Sequence, residues 1–416
     1  MGISDSEQSA MDAWVADDAA SAMQVDSIYI DNFKSLVDFR LLLASFTCLI
    51  GLNGSGKSTV LQAIDFISRL FKGNVSRWLE QRQWKTGDLN SKLIGKNNIK
   101  LNLELSCGKQ QLQWEGSFNR SLLRCTSETV KLAGKSIFSV ADGHYWFDTF
   151  AKPGAAANRF KISFDYEGSI LSQLKDDALP QQLRSLKRFL RQTAVLDLLS
   201  PHLLRKRATQ SQGEIGMGGE RLSAFLHELS DWQQRELSSR LKSVYPHLEQ
   251  FLTRSLQAGW KELGIREQFG GKSLTTEARH INDGMLRMMA ILAEILTDHD
   301  FLLFDEIENG INPELVGFLL DLLVNARQQI LVTTHSPMIL NDLDDEVARA
   351  GVQYLYKTPA GFTRAVPFFL IPSLAAKLEV MGPGEAFVDT QLSLLSDEIG
   401  AMPAIKPKDQ KGTHGC

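Results

Sequence analysis

The chain has 416 residues, a net charge of −4, a pI near 6.1, and 43% hydrophobic and 23% charged residues. That balance excludes a wholly disordered or collagen-like chain, and it supplies no global positive field for nucleic acid. Cys48, Cys107, Cys125 and Cys416 form no CxxC pair, which argues against zinc ribbons and a disulfide framework. No apolar run approaches the roughly 20 residues of a membrane span, and no basic-then-apolar start marks a signal peptide. The expectation is a cytoplasmic chain of two or three domains with no membrane partner.

Residues 1–24 are rich in Ala, Ser and Asp and carry no Lys or Arg, so they read as a flexible acidic tail. A first lobe is expected over 25–175. It opens with a strand holding Ile28 and Ile30, and Phe46–Ile50 is a short apolar run suited to a buried strand. Val60, Ile64, Ile67 and Phe71 then repeat at helical spacing and stop at Gly73. From 97 to 168 short alternating runs punctuated by glycine predict an antiparallel meander. Residues 176–270 read as a basic helical insertion. A second lobe over 271–400 alternates helices with strongly apolar strands, as in a parallel α/β sheet, and 401–416 reads as a loose tail. Met381–Glu385 reads as a turn.

Gly51-Leu52-Asn53-Gly54-Ser55-Gly56-Lys57-Ser58 fits GxxxxGK[ST] between that strand and that helix. Glycines let consecutive backbone N–H groups curl around one anion, and the helix start adds its dipole. Asn53, Gly54, Ser55, Gly56, Lys57, Ser58 and Thr59 are the expected ATP-phosphate contacts. Lys57 meets the β- and γ-phosphates, and the Ser58 hydroxyl ligates Mg²⁺.

Phe301-Leu302-Leu303-Phe304 runs into Asp305-Glu306. Carboxylates at the C-terminal edge of a parallel strand sit where such sheets bind ligands. Asp305 is the expected Mg²⁺ partner, and Glu306 the general base that polarises the attacking water. The next apolar strand ends at His335-Ser336-Pro337, placing His335 where it can hydrogen-bond the γ-phosphate. Lys57, Glu306 and His335 are the catalytic candidates.

These pieces, in this order, resemble an ABC-type ATPase head of the SMC/RecF branch, close to the stand-alone ATPases related to the OLD (overcoming lysogenization defect) proteins. Tyr29–Leu36 is similar to that family's opening strand, Asp305–Pro313 to its "DEIENGLHP" segment and Thr334–Pro337 to its "THSP" switch. Ile281-Asn282-Asp283-Gly284-Met285, followed by Leu286-Arg287, is similar to its signature "(L/I)SDGTLR", with Asn282 replacing the usual Ser and Asn312 the usual His. More than two hundred residues separate Lys57 from Gly284, unlike a transporter subunit, yet there is no room for the heptad arms of the great SMC proteins.

The resemblance implies an α/β P-loop head with a mixed or antiparallel β lobe, a parallel-sheet core and a helical insertion. It implies ATP and Mg²⁺ as cofactors, and a head-to-tail homodimer. In that dimer Asn282, Asp283 and Gly284 of one copy cap the nucleotide of the other. It further implies Gln173 as a third metal contact and Lys34 near the nucleotide base. It points to the ATPase subunits of anti-phage systems such as Septu and PARIS, which work with a separate effector nuclease. No nuclease domain is expected here after His335. A DNA-repair or recombination ATPase and an ATP-gated scaffold remain alternatives. Arg184, Lys187, Arg188 and Arg191 share helical spacing, and Arg205-Lys206-Arg207 follows; a DNA-binding face, a solvated surface and a subunit contact all fit that pattern.

Overall fold

The computed structural model describes residues 23–147, 159–198 and 200–401. The tails expected at 1–24 and 401–416 lie outside them, apart from Met23 and Gln24, which open the first strand, and Ala401, which closes the last helix. Among the described residues no helix is long and apolar enough to cross a membrane.

The first sheet has eight strands in the order β2-β1-β4-β5-β6-β7-β8-β9. They are β1 (Met23–Asp31), β2 (Phe39–Leu42), β4 (Asn98–Cys107), β5 (Gln110–Asn119), β6 (Arg124–Leu132), β7 (Lys135–Ala141), β8 (His144–Phe147) and β9 (Arg159–Lys161). Every pairing is antiparallel. The alternation Ile99, Leu101, Leu103, Leu105 turns one face inward, and all four are buried.

The core sheet runs β10-β14-β15-β3-β16-β17. Its strands are β3 (Phe46–Ile50), β10 (Thr193–Leu196), β14 (Phe301–Phe304), β15 (Gln329–Thr333), β16 (Val352–Lys357) and β17 (Thr363–Pro367). All neighbours are parallel except β17. Both faces are covered, so successive residues enter different cores. Phe46, Cys48, Ile50, Leu302, Phe304, Ile330 and Val332 join one, and Leu49, Phe301, Leu303, Leu331 and Leu355 the other.

Helix α1 (Lys57–Lys72) covers the second face with Val60, Ile64, Ile67 and Phe71, and ends at Gly73 in a left-handed cap (φ 67°). Edge-to-face contacts of Phe66 with Phe118 and of Phe71 with Trp114 fix it to the antiparallel sheet. The other face packs on Met285, Met288, Met289 and Leu292 of the helix over 283–295.

The segment 176–270 departs from the expected helical insertion. It does carry helices: α2 (Gln181–Arg191), α3 (Leu222–Glu228) and α4 (Asp231–Val244). It also contributes β10 to the core sheet, plus β11 (Leu248–Ser255) and β12 (Lys261–Phe269), which pair with β13 (Lys272–Glu277) in a separate antiparallel sheet. Four residues are too few for β10 to declare a period. In β11 and β12 the inward residues Leu248, Phe251, Leu263 and Ile265 are spaced among charges that mask the alternation. Beyond α5 (Asp283–Ile295) and α6 (Pro337–Asn341), the expected turn at 381–385 instead leads into helix α7 (Pro383–Val388). Gly384 lies so close to α6 that a Cβ there would collide with Asn341 and the Pro337 carbonyl.

Candidate active site at the strand ends

Three adjacent parallel strands, β14, β15 and β3, end on one edge of the core sheet and deliver Asp305–Glu306, Thr334–His335 and Gly51 there. The turn after β3 is shaped by glycine. Gly51, Gly54 and Gly56 have φ of 147°, 77° and 113°. A Cβ on Gly51 would strike the Leu355 carbonyl, and one on Gly56 would strike Thr363. Asn53, Gly54 and Ser58 are exposed, Thr59 is half-buried, and no side chain caps the start of α1. The first-turn N–H groups of α1 are therefore left for a ligand. The buried Ser55 hydroxyl has no hydrogen-bond partner among the described residues.

Lys57 is buried, and its Nζ donates to the carbonyls of Gly51 (2.8 Å) and Leu52 (3.4 Å). Burial pulls its pKa down, while the negative charges of Asp305, Glu306 and Glu308 oppose that shift. The two motifs, far apart in sequence, thus share one electrostatic neighbourhood.

The acidic turn is held at its backbone and at the Asp305 and Glu308 carboxylates, while that of Glu306 is left loose. Thr333 Oγ1 donates to Asp305 Oδ1 (2.5 Å) and accepts from the Glu306 N–H (2.8 Å). Arg287, buried in α5, donates from Nη2 to the carbonyls of Asp305 (3.1 Å) and Glu306 (2.5 Å). Glu306 sits in the left-handed region at φ 46°, at a cost of roughly 1 kcal/mol for a non-glycine residue. Its carboxylate keeps loose neighbours: His335 Nε2 lies 3.9 Å from Oε1, and Asn309 Nδ2 donates to Oε2 at 3.4 Å. The His335 backbone N–H donates to Glu308 Oε1 (3.0 Å), whose other oxygen has no partner among the described residues.

Sequence reasoning gave no role to Arg287, Thr333, Glu308 or Thr363. Thr363, on β17, donates to the Ser55 carbonyl (2.9 Å) and shares a hydrogen bond with the Ser35 hydroxyl (2.8 Å), bracing the phosphate loop from below. Arg287 carried a signal as the end of the segment similar to the signature, and Glu308 and Thr333 did as neighbours of residues already singled out.

Asn282, Asp283 and Gly284 begin α5 on the other flank of the acidic turn. Asn282 Oδ1 accepts from the Met285 N–H (2.8 Å), an N-cap. Asp283 is exposed and pairs with Arg205. Gly284 abuts the Gly310 carbonyl, which a Cβ would approach to 2.5 Å. Within this one chain the signature faces the turn, not the phosphate loop.

Gln173 does not belong to the site. Its Nε2 lies beside Gly73, where a Cβ would come within 3.0 Å, at the C-terminal end of α1. Ser58 is at the other end, about 20 Å away at 1.5 Å rise per residue. The metal contact expected of Gln173 is corrected on that ground.

Lys34 donates to Gln62 Oε1 (2.8 Å), lies 3.4 Å over the Trp84 ring, and has its pKa pulled down to about 8, chiefly by burial. It lines a cleft of about 260 Å³ with Ser35, Asp88, Asn90, Lys92 and Leu93. The Ser35–Thr363–Ser55 hydrogen bonds join that cleft to the phosphate loop.

The basic face is smaller than its spacing suggested. Arg184, Arg188 and Arg191 are exposed, but Lys187 is buried and donates to the Leu174 carbonyl (2.7 Å) and Asp176 (2.8 Å). Arg205 and Arg207 are engaged by Asp283 and Glu262.

Comparison with known proteins agrees with this geometry. Residues 23–120 match a family described as "AAA ATPase domain", and residues 158–341 one described as "AAA domain, putative AbiEii toxin, Type IV TA system". Among solved structures, the Smc head bound to the C-terminal winged-helix domain of ScpA is similar, at 13% identity and TM-score 0.51, over 82% of this chain and 97% of that one. A Smc head with an extended coiled coil bound to the C-terminal domain of ScpA, derived from Pyrococcus furiosus, matches at 12% identity and TM-score 0.52, over 86% of this chain and 99% of that one. The methionine import ATP-binding protein MetN 2 of Staphylococcus epidermidis is 25% identical over 159 residues, 33% of this chain. The chain covers only 46% of that relative's length. Two stretches of the chain are thus similar to AAA-type ATPase domains, and the chain has the fold of the SMC head.

Proposed function

We propose that this protein binds and hydrolyses ATP, that two copies close head to tail on ATP, and that the closed state regulates a separate effector, a nuclease of cytoplasmic anti-phage defence. The observation that carries the ATPase reading is the meeting of the phosphate loop, Asp305–Glu306 and His335 on three neighbouring strand ends. The effector reading draws on the motif resemblance, on the burial of Lys187 and on the pairing of Arg205 and Arg207 with carboxylates, which reduces the charge free to meet DNA.

The residues present fit Mg²⁺. The exposed Ser58 hydroxyl and the half-exposed Asp305 carboxylate would hold it, and no cluster of three or more His, Cys, Asp or Glu occurs among the described residues. That suits a cation bound by one carboxylate together with substrate phosphates. When bound it supplies charge neutralisation at the β- and γ-phosphates. The uncapped start of α1 and the glycine turn receive the phosphates. Lys57 exchanges its two loop carbonyls for phosphate oxygens. Glu306 accepts a proton from the attacking water, and His335 orients against the γ-phosphate. Catalysis here is positioning and charge neutralisation.

The test is a pair of variants. Lys57→Ala should abolish ATP binding in equilibrium titration. Glu306→Gln should keep ATP and accumulate dimer by light scattering, with turnover falling at least about 100-fold. Normal turnover in Glu306→Gln would sink the general-base assignment, and a monomer saturated with ATP would sink the dimer.

A further inference from the structure

The start of β1 is pinned at the foot of the core sheet, on the edge opposite the phosphate loop. Gln329, the first residue of β15, is buried, and its side-chain amide pairs with Val25 as a strand neighbour would. Oε1 accepts from the Val25 N–H (2.9 Å), and Nε2 donates to the carbonyls of Val25 (2.8 Å) and Ala44 (3.0 Å). Met23 and Gln24 thus line one wall of a cleft of about 190 Å³, and Ser185, Arg188 and Phe189 of α2 line another. The chain that precedes Met23 is delivered to this cleft.

Helix α2 has a one-sided charge there. It contains no Asp or Glu, and Arg184, Arg188 and Arg191 are exposed on one stripe at i, i+4 and i+7. Among the described residues none of the three lies within ion-pair distance of a carboxylate. Arg188 Nε donates to Gln192 Oε1 (2.9 Å), and Asp176, which feels Arg184 and Arg191, is bonded to Lys187. At the far side of the cleft Arg327 is offset by Asp298 (4.0 Å), and Asp300 lies there too.

The segment delivered to the cleft has the opposite sign. Residues 1–22 hold Asp5, Glu7, Asp12, Asp17 and Asp18 and no Lys or Arg. Asp18 and Asp17 are five and six residues from Met23, so an extended chain carries them up to about 17–20 Å. The stripe from Arg184 to Arg191 is about 10 Å long, and Arg188, between its ends, is at the cleft. Carboxylates fit guanidinium forks. One exposed pair holds little, but a short tether keeps the partners at millimolar effective concentration, and successive pairs act together.

We propose that the acidic segment 1–22 docks along the Arg184–Arg188–Arg191 stripe of its own chain, with Asp17 and Asp18 as its first contacts. Any other anion then reaches that stripe only by displacing the segment. The inference stands independently of the ATPase reading.

The experiment uses the full chain with a dye on Ala10→Cys. Cys107→Ser and Cys416→Ser leave only the buried Cys48 and Cys125 besides it. The readout is the residual nanosecond anisotropy of the dye, which is high when its segment is held. At about 50 mM salt it should be at least about twofold that of the same chain carrying Arg184→Glu, Arg188→Glu and Arg191→Glu, and at about 0.5 M salt the two should coincide. Adding Asp12→Lys, Asp17→Lys and Asp18→Lys to the arginine-reversed chain should restore the low-salt value. Should that chain fail to fold, Asp12→Asn, Asp17→Asn and Asp18→Asn remove the same pairs from the other side and should lower the anisotropy to its high-salt level. The proposal is overturned if the anisotropy ignores salt, if removing either set of charges leaves it unchanged, or if the charge swap does not restore it. It is also overturned if the anisotropy climbs with protein concentration, which places the segment on a second copy.

Discussion

Asp65, in the middle of α1, and Glu306, beyond the end of β14, are both carboxylates set against apolar cores, but their partners differ in kind. Asp65 is saturated. Arg69 donates to one oxygen (3.1 Å), and Trp78 (2.6 Å) and Arg82 (2.7 Å) donate to the other. Burial pushes its pKa up, and the two guanidinium groups and the indole more than reverse that, holding it below the usual carboxylate range. Glu306 has a histidine at 3.9 Å and a long bond from Asn309, with its tight contacts made to the backbone on either side. A saturated carboxylate is committed to holding the fold. One whose main chain is fixed while its oxygens remain available is committed to something that arrives.

The contrast breaks most sharply at Asp65. Asp65→Ala leaves the half-buried Arg69 and Arg82 guanidinium groups without their carboxylate, so urea unfolding should show a loss of about 3 kcal/mol or more; a loss below about 1 kcal/mol would mean the cluster relaxes without cost. Glu128 comes next. Burial raises its pKa to about 7 despite hydrogen bonds from Ser169 (2.5 Å), the Ile170 N–H (2.8 Å) and Trp114 (3.2 Å). Below the ordinary glutamate value of 4.5 both folded and unfolded forms are protonated, and Glu128 adds no pH dependence. Above it the unfolded chain ionises first, so stability should fall until about pH 7 and then level off. The total is on the order of 3 kcal/mol. Unfolding at pH 5 and pH 8 should show this drop in the wild type and a smaller one in Glu128→Gln.

Glu306→Gln sharpens the comparison from the other side. Its stability should stay within about 0.5 kcal/mol of wild type even as turnover collapses, because nothing structural depends on the carboxylate. A marked destabilisation would class Glu306 with Asp65. The smallest stability effect is expected on the exposed face of α2, where Arg184→Glu, Arg188→Glu and Arg191→Glu together should leave the unfolding free energy nearly unchanged. Any DNA affinity lost in that variant locates a contact there. Unchanged affinity removes the face from a nucleic-acid role.

Most of the site's strand ends were legible because they are local. Phe46–Ile50, Phe301–Phe304 and the run ending at His335 each carry their own apolar pattern and their own turn chemistry, and the helix from Lys57 carries both its period and its glycine stop. What escaped is set by distant partners. Gln173 is placed by the close approach of its loop to Gly73, which no spacing reveals. Lys187 sits at the same helical spacing as its exposed neighbours, and only the loop carrying Leu174 and Asp176 turns it from surface charge into an interior bond. Thr363 reaches the phosphate loop through strand order alone.

That strand order bears on how the protein comes into being. β3, which launches the phosphate loop, lies between β15 and β16, so Phe46 waits for a neighbour made nearly three hundred residues later. The hydroxyl that props the loop, on Thr363, is made later still. During synthesis the nucleotide cradle has its sequence early and its walls last, and pairing at such separation is slow. A ribosome-bound chain should thus be blind to ATP until β17 has emerged, and no amino-terminal fragment ending before it should inherit the binding site.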